Sequence, residues 1–488
     1  MTIHLSILLF FPLVMATIGA LLLRGLAPTA LLVGALVALA YSVLLLFDFD
    51  SGSDGLQYVT DDAWIDELGV RYTLGVDGLN LWLIALTTLL FAVTALWITL
   101  RPVERPQLYA FHLGLAETAV LGAFMAQDLL LFVLFFDLML VPFYFLIGQW
   151  GGPDRVAATF KLVVYTLVGS LLMLAAAVAT AITANAAPGG GVTFSIERLA
   201  NAQLDTGPQR WIFAAFALAF LIKMPAFPFH GWMPDGYANM PLPVLAVFSG
   251  VLSKVAAYGF LRVVLPIFPE ASEDFQLVML LIGLASILYG SAQAFTQTNV
   301  RLILGYSSVA QLGFIVLGIF ALGQAAGAQG ALLQMVNHGL VVAPLFFIVE
   351  LLHERTGSYD LRDMGGLAFR APVLATLFLV VALATLAIPG SANFAGEFLI
   401  LLGVFNAELA VAVIAFTGVA MASVYMLRMF IRAVHNRLAP GGRSHDLSVR
   451  DGLVLVPLVV AILAFGVYPQ QALQHSEASV ERVVGVTP

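Results

Sequence analysis

The sequence predicts an all-α protein that crosses a membrane many times, and three observations support this fold class. Hydrophobic residues make up 61% of the 488 positions and charged residues only 10%, with a mean hydropathy of +0.98, whereas a soluble domain carries roughly 25% charged residues. The apolar residues form continuous runs rather than the alternating pattern of a membrane β-barrel. Arginines recur in every second loop. This composition excludes a soluble enzyme and a disordered chain, and the net charge of −8 argues against a nucleic-acid binder, because phosphate binding needs a basic surface.

Fourteen apolar runs predict 14 transmembrane helices, which we number as spans 1 to 14. A helix needs about 20 residues to cross the hydrocarbon core. The first run has no basic leader and no clear cleavage site, so we predict that it is a retained helix and not a signal peptide. The spans are 3–23, 26–47, 78–100, 108–126, 129–149, 156–184, 211–229, 242–266, 275–297, 301–322, 330–352, 371–402, 409–436 and 452–470.

The loops alternate in charge, which predicts their sides of the membrane. Each loop takes the number of the span before it. Odd-numbered loops hold most of the arginines, whereas even-numbered loops hold only Arg71, Arg198 and Arg210 and are rich in acids. Because basic loops stay in the cytoplasm, both termini should lie outside. The arginines in or next to the odd loops are Arg24, Arg101, Arg105, Arg155, Arg301, Arg355, Arg362, Arg370, Arg428, Arg432, Arg437, Arg443 and Arg450.

We expect one integral membrane domain over residues 1–488. Its parts would be the N-terminal helices in 1–107, a first repeat in 108–266, a second repeat in 275–436, and a C-terminal helix and tail in 437–488. The loops 48–76 and 185–210 are the only long ones. Neither could form a domain with its own core.

The chain has only three lysines, and all of them fall within predicted spans. A lysine in hydrocarbon is costly, but unlike arginine it can give up its proton when it is buried. Lys254 lies in the middle of span 8 and Lys223 well inside span 7, so both are candidate proton carriers. Lys161 lies within one or two turns of the cytoplasmic end of span 6, where its ammonium group could simply extend to the interface.

Three further polar residues interrupt apolar spans: Asp137 in span 5, His338 in span 11 and Glu397 in span 12. A single histidine in an apolar helix is more often a structural hydrogen-bonding group than a proton carrier. Buried acids and bases are expected to pair or to line hydrated cavities. Together with Lys223 and Lys254, these residues have the chemistry of a proton path near the middle of the membrane. The absence of cysteine excludes an iron–sulfur cluster bound by cysteines.

Two spans contain residues that break helices. Pro225 and Pro228 follow Lys223 in span 7, and Pro389 and Gly390 lie in span 12. Proline removes a backbone donor and clashes with the preceding turn. Because the breaks are five spans apart, they indicate two inverted five-helix repeats, spans 4–8 and 9–13, with a transport site between them. Prolines are also common in membrane helices, so one break alone would indicate little.

Nine stretches resemble, in the same order, the antiporter-like membrane subunits of respiratory complex I. The resemblance covers roughly residues 70–435. The stretches are GVDGLNLWLIALTTLL, FFDLMLVPFYFLIGQWGG, KLVVYTLVGS, KMPAFPFHGWMPDGYANMPLPV, VLSKVAAYGFLR, LGYSSVAQLGF, MVNHGLVVAPLFF, LHERTGSYDLRDMGGL and IPGSANFAGEFLIL. The resemblance implies 14 helices with inverted repeats, in a bacterial inner membrane. It also implies proton pumping by a chain without cofactors, while NADH, FMN, iron–sulfur clusters and quinone are bound by sister subunits.

The resemblance assigns roles by position. Asp137 takes the place of the family's acid on span 5, and Lys223 that of its lysine partner, so we expect the two to approach each other directly or through one water. Lys254 matches the central lysine, His338 the span-11 histidine and Glu397 the acid that ends the path. The L and N types of the family, which we expect as neighbours in the membrane arm, usually have lysine at the last position. The L type also has a long lateral helix, for which nothing after residue 470 is suited.

Two residues depart from the family pattern. The family usually has glutamate where this chain has Asp137, whose shorter side chain lengthens the contact with Lys223 or leaves it bridged by water. The family also often reads YSSVSH where this chain reads YSSVAQ, so Gln311 replaces a histidine. Glutamine cannot titrate, although it can hydrogen-bond a water molecule.

Three alternatives remain open from the sequence. The chain could belong to a multi-subunit sodium/proton antiporter, which would share the helices and the lysines. It could be a spacer in a membrane arm that does not pump, although a spacer would be expected to lose its costly buried charges. It could also belong to a hydrogenase-linked or carbon-concentrating relative of complex I.

Overall fold

We analysed the chain in a computed structural model that describes residues 4–22, 24–53, 55–186, 192–202, 204–435 and 445–485. Within these residues, eleven helices are long and apolar enough to cross a membrane, and three further apolar helices are shorter: Leu5–Leu21, Pro372–Ala384 and Ala392–Ala407. The apolar runs of the sequence therefore form helices, as predicted. Aliphatic and aromatic residues surround most of these helices on all sides, which is typical of helices that face lipid or other helices.

The elements of the first half are named in chain order. They are α1 (Leu5–Leu21), α2 (Ala27–Asp48), β1 (Gln57–Ile65), β2 (Val70–Val76), α3 (Leu81–Leu100), α4 (Pro106–Met125), α5 (Leu129–Leu138), α6 (Leu140–Trp150), α7 (Arg155–Ala186), α8 (Ile196–Ala200), α9 (Thr206–Lys223), α10 (Met233–Asn239), α11 (Leu242–Val247), α12 (Ser253–Gly259) and α13 (Leu265–Ile267). Two π-helical segments, Phe248–Leu252 and Phe260–Val264, join α11, α12 and α13 into one continuous span.

The second half is also mostly helical. Its elements are α14 (Pro269–Asp274), α15 (Gln276–Thr296), α16 (Val300–Ile319), α17 (Ala325–Thr356), α18 (Leu367–Arg370), α19 (Pro372–Ala384), α20 (Ala392–Ala407), α21 (Leu409–Val434), α22 (Val449–Val467) and α23 (Gln470–Val484). Single 3-10 turns occur at Arg24–Leu26, Asp66–Leu68 and Leu361–Asp363.

Both predicted helix breaks are present. In span 7, α9 ends at Lys223 and α10 begins at Met233; in span 12, α19 ends at Ala384 and α20 begins at Ala392. A local distortion that was not predicted interrupts the helix at Met139, two residues after Asp137, within the single span Leu129–Trp150. Its physical reason is Pro142, which has no N–H to donate to the carbonyl of Leu138 four residues earlier.

A hairpin and the C-terminal helix are among the elements outside the predicted spans. The loop 48–76 contains an antiparallel hairpin, in which Asp61 of β1 accepts hydrogen bonds from Arg71 and Thr73 of β2. The tail contains α23, whose Ser479 accepts a hydrogen bond from the backbone of Gly78, just before α3. The C-terminal helix therefore packs at the same end of the protein as the start of α3.

Glycines allow α17 and α20 to pack closely, and this contact positions the candidate site. A Cβ atom at Gly330 would lie 2.6 Å from the backbone nitrogen of Ile400, and one at Gly396 would lie 3.1 Å from the backbone nitrogen of Gln334. No side chain other than hydrogen fits at either position without a shift. The close approach brings the polar residues of α17 against those that follow the break before α20.

Candidate functional site

Lys254 and His338 are in direct contact in the interior. The Lys254 ammonium nitrogen lies 2.8 Å from His338 Nδ1, and it donates to the carbonyl of Ser249 at 2.5 Å. Lys254 is 0% exposed and His338 is 3% exposed. The π-helical segment ending at Leu252 immediately precedes α12 and its Lys254. A protonated lysine can donate only to an unprotonated ring nitrogen, so this contact lets a proton pass directly between the two side chains.

Glu397 is held by a chain of two amides. Gln311 Nε2 donates to Glu397 Oε1 at 2.9 Å, and Gln334 Nε2 donates to Gln311 Oε1 at 2.8 Å. The other carboxylate oxygen, Glu397 Oε2, is buried and has no hydrogen-bond partner among the described residues. Gln311, the residue that departs from the family pattern, is therefore the direct partner of the acid that ends the predicted path.

A small cavity lies between His338 and the residues around Glu397. Its polar lining comes from Ser307, Gln311, His338, Thr385, Asn393 and Tyr425. The side-chain oxygens of Asn337 and Asn393 are buried without a partner in the described chain, and the amide nitrogen of Asn337 donates to the carbonyl of Ala392 at the helix break. Buried polar oxygens require a hydrogen-bond donor, and a water molecule occupies about 30 Å³ of liquid volume. The cavity thus has room for about one water molecule and polar groups to hold it.

Lys223 and Asp137 lie at neighbouring helix ends but do not form a direct ion pair in the described structure. Lys223 Nζ donates to the carbonyl of Phe136 at 3.1 Å and lies 4.6 Å from the centre of the Phe136 ring. Asp137 is half-buried, and its Oδ1 atom is buried without a partner among the described residues. The water-bridged form of the predicted contact stays a prediction.

A second small cavity opens beside Lys223. Its lining is mainly apolar and includes Phe143 and Leu162. The charged or hydrogen-bonding side chains in the lining are those of Thr166, Lys223 and Trp232. Phe248 and Leu252, which also line it, belong to the π-helical segment before Lys254. The space therefore adjoins span 7, which carries Lys223, and span 8, which carries Lys254.

Lys161 does not belong to this interior group. Its ammonium nitrogen lies 2.6 Å from Asp235 Oδ2, and the two side chains are 43% and 52% exposed. The lysine extends to the surface and pairs there with an acid, as its position near the end of span 6 predicted.

A buried ion pair that was not predicted from the sequence joins Asp77 and Arg262. The closest nitrogen–oxygen distance is 2.5 Å, with the side chains 0% and 6% exposed. Arg262 also donates to Tyr258 at 2.8 Å, and Tyr258 donates to the carbonyl of Phe124. Both charged residues lie in stretches that carry the family resemblance, so their motifs were visible, but nothing in the sequence showed that they meet.

Glu117 in α4 was also missed. It is 0% exposed, and neither carboxylate oxygen has a hydrogen-bond partner among the described residues. The signal was available, because Glu117 interrupts predicted span 4 in the same way that Asp137 interrupts span 5.

We expect Asp77→Asn to destabilise the protein strongly, because it leaves the Arg262 charge buried without its counter-ion. Removing one partner of a buried pair typically costs about 3–5 kcal/mol. Thermal unfolding of the detergent-solubilised complex would measure the loss. The control is Asp61→Asn, which removes an exposed partner of Arg71 by the same chemical change and should have little effect. Equal, small effects of both variants would contradict the importance of the buried pair.

Comparisons with known proteins agree on one family. The model of the NADH:quinone oxidoreductase/Mrp antiporter transmembrane family matches residues 126–422. The chain is 35% identical over 501 residues to NADH-quinone oxidoreductase subunit M of Rhodobacter capsulatus, covering 98% of this chain and 96% of the relative. It is 38% identical over 433 residues to subunit M of Escherichia coli strain K12, covering 87% and 84%.

Solved structures show the same fold. A chain of respiratory complex I from Thermus thermophilus superposes with a TM-score of 0.89 at 30% identity, over 99% of this chain and 100% of that one. A chain of the Mrp complex from Dietzia sp. superposes with a TM-score of 0.86 at 23% identity, over 100% and 98%, which is a likeness of fold alone.

Proposed function

The chain belongs to the NADH:quinone oxidoreductase/Mrp antiporter family, and from this premise we propose that it is a proton-pumping membrane subunit of an NADH-quinone oxidoreductase. The resemblance found in the sequence is confirmed at the level of the family. The relatives named subunit M agree with Glu397, since the L and N types usually have lysine at this position. Its partners are then other membrane-arm subunits, L- and N-like neighbours among them.

The contact between Lys254 and His338 carries the proposal. A base deep in the membrane touches a second titratable group, and that group lines a cavity with room for water. A proton released by Lys254 passes to His338, moves through the cavity by way of the water it holds and reaches Glu397. Each of these residues can hold and release a proton, and Gln311 links the cavity wall to the final acid.

Lys223 and Asp137 form the input side of the proposed path. When Asp137 or a water that it binds approaches the Lys223 ammonium group, the protonated lysine is stabilised; when the acid moves away, the desolvated lysine releases its proton. The cavity between Lys223 and the Lys254 span is apolar, so protons cross only when water enters it. Moving one charge against 100 mV costs about 2.3 kcal/mol, which is within the range of such ion-pair rearrangements.

The finer architecture belongs to the same proposal. The eleven long helices, α1, the broken span 7 and the broken span 12, which α19 and α20 form together, give 14 crossings. Spans 4–8 and 9–13 form the two inverted repeats within one membrane domain. The arginine-rich loops lie in the cytoplasm of a bacterium and both termini on the outer side of its inner membrane.

No redox chemistry is assigned to this chain. The sequence has no cysteine, and the described residues contain no group of three or more His, Asp or Glu side chains that could hold a metal ion. We propose that NADH, FMN, iron–sulfur clusters and quinone bind to sister subunits, and that this chain contributes only the translocation half of the reaction.

A sodium/proton antiporter subunit is the second candidate, because the family model includes the Mrp antiporters and the Dietzia Mrp chain has the same fold. Ion substitution separates the two functions. In proteoliposomes containing the whole complex, NADH-driven proton translocation should proceed at the same rate when all sodium is replaced by choline. A requirement for sodium, or proton movement driven by a sodium gradient without NADH, would support the antiporter instead.

A further inference from the structure

We propose that Gln334 is a positioning residue for Glu397: it fixes the amide of Gln311 so that Glu397 is bonded at one oxygen and accepts the translocated proton at the other. This inference rests on the proposed function, since it concerns the last proton acceptor of the path. It gives a role to two uncharged residues, Gln311 and Gln334. Gln311 stands where the family often has a titratable histidine.

The hydrogen bonds set the orientation of both amides. Gln311 uses its carbonyl oxygen to accept from Gln334 at 2.8 Å, so its NH₂ group faces Glu397 Oε1 at 2.9 Å. An ionised carboxylate can only accept, so the NH₂ end of Gln311 is the end that fits it. If Gln311 turned over, two oxygen atoms would face each other. Gln334 opposes this reversal in the observed orientation, in which its NH₂ group faces Gln311 and its own Oε1 is buried without a partner among the described residues.

The three side chains are shielded from bulk water. Gln334 is 0% exposed, Gln311 4% and Glu397 2%, and they come from three different helices, α17, α16 and α20. A close approach of α17 and α20 at Gly396 places the Gln334 side chain beside the residue that precedes Glu397. In such surroundings a hydrogen-bonded amide chain holds one arrangement, because no solvent molecule replaces a lost partner.

The arrangement leaves one oxygen of Glu397 for the proton. Oε1 already accepts from Gln311, whereas Oε2 is buried and has no partner among the described residues. Gln311 also lines the cavity onto which His338 opens. A proton delivered by cavity water is therefore accepted at Oε2, while Gln311 itself neither gains nor loses one.

Two substitutions at position 334 test the inference in the whole complex. Gln334→Leu removes the donor to Gln311, and proton translocation per electron should fall several-fold at every pH. Gln334→Glu keeps the shape, and its protonated form can donate a hydroxyl hydrogen bond to Gln311 Oε1, so translocation should recover at the acidic end of the pH range. The titratable groups facing this position are Glu397 on α20, Tyr425 on α21 next to it and His338 one turn along α17.

The controls separate this inference from the proposed function. Gln329→Leu on the same helix removes an amide whose hydrogen bond among the described residues is to Leu473 of α23, and it should leave translocation unchanged. The positioning role is wrong if Gln334→Leu translocates protons at the parental level. It is also wrong if Gln334→Glu at acidic pH loses as much translocation as Gln334→Leu. If Glu397→Gln also translocates normally, the proposed path itself fails; if Glu397→Gln is inactive, only the role of Gln334 is lost.

Discussion

Replacement of Lys254 by alanine is expected to reduce proton translocation by about tenfold or more, since a positioned proton-transfer group typically contributes at least that much. The variant removes the base that touches His338, and the 0% exposure of Lys254 means that no bulk water takes its place. NADH-driven proton uptake by proteoliposomes, together with NADH oxidation and the subunit content of the purified complex, would measure the effect.

Two further variants identify the cause of that loss. Lys254→Arg keeps a positive charge but effectively cannot release its proton, so it should assemble and fail to translocate. Lys161→Ala applies the alanine change to the exposed, surface-paired lysine and should leave translocation intact. If the Lys254→Ala complex assembles fully and translocates protons normally, Lys254 is not a proton carrier. If the Lys254→Ala complex fails to assemble while the Lys254→Arg complex is active, the charge of Lys254 is structural.

The sequence predicted those parts of the fold that depend on local chemistry. Long apolar runs determine where helices lie, and Pro225 and Pro389 marked the breaks that the structure contains. The distortion at Met139 follows from the same chemistry at Pro142, but the length of its apolar run suggested one uninterrupted helix. The π-helical segments around Lys254 leave no pattern in a run of uniformly apolar residues.

The contacts within the site could be predicted only in part. Charges in apolar spans identified Lys254, His338 and Glu397, because a buried charge needs a reason. Their mutual distances depend on how each helix is rotated, and a helix that is apolar on all sides does not encode its rotation. Gln334 was not recognised for a different reason: an uncharged amide in a span is neither costly enough nor rare enough to stand out, although it fixes the partner of Glu397.

A different role for Glu397 would be to stabilise the start of a helix. A carboxylate near a helix N-terminus is favoured by the helix dipole. However, α20 begins at Ala392, which places Glu397 beyond the first turn, and its carboxylate accepts from the side chain of Gln311. Its free oxygen lies in a buried region whose Asn393 and Asn337 oxygens also lack partners among the described residues. These contacts favour a role in proton transfer.

Glu397→Gln is therefore expected to assemble and to lose most of its proton translocation. Glutamine keeps the shape of glutamate and can still accept from Gln311, but it cannot take up a proton at the second position. Because the other hydrogen bonds survive, the stability of the complex should change little, and the defect should appear as a lower number of protons moved per electron. The matched control is Glu408→Gln, the same change at an exposed acid at the end of α20, which should behave like the parent. If the Glu397→Gln complex moves protons at the parental ratio, the acid serves only the local structure, and the path must leave the cavity at another residue.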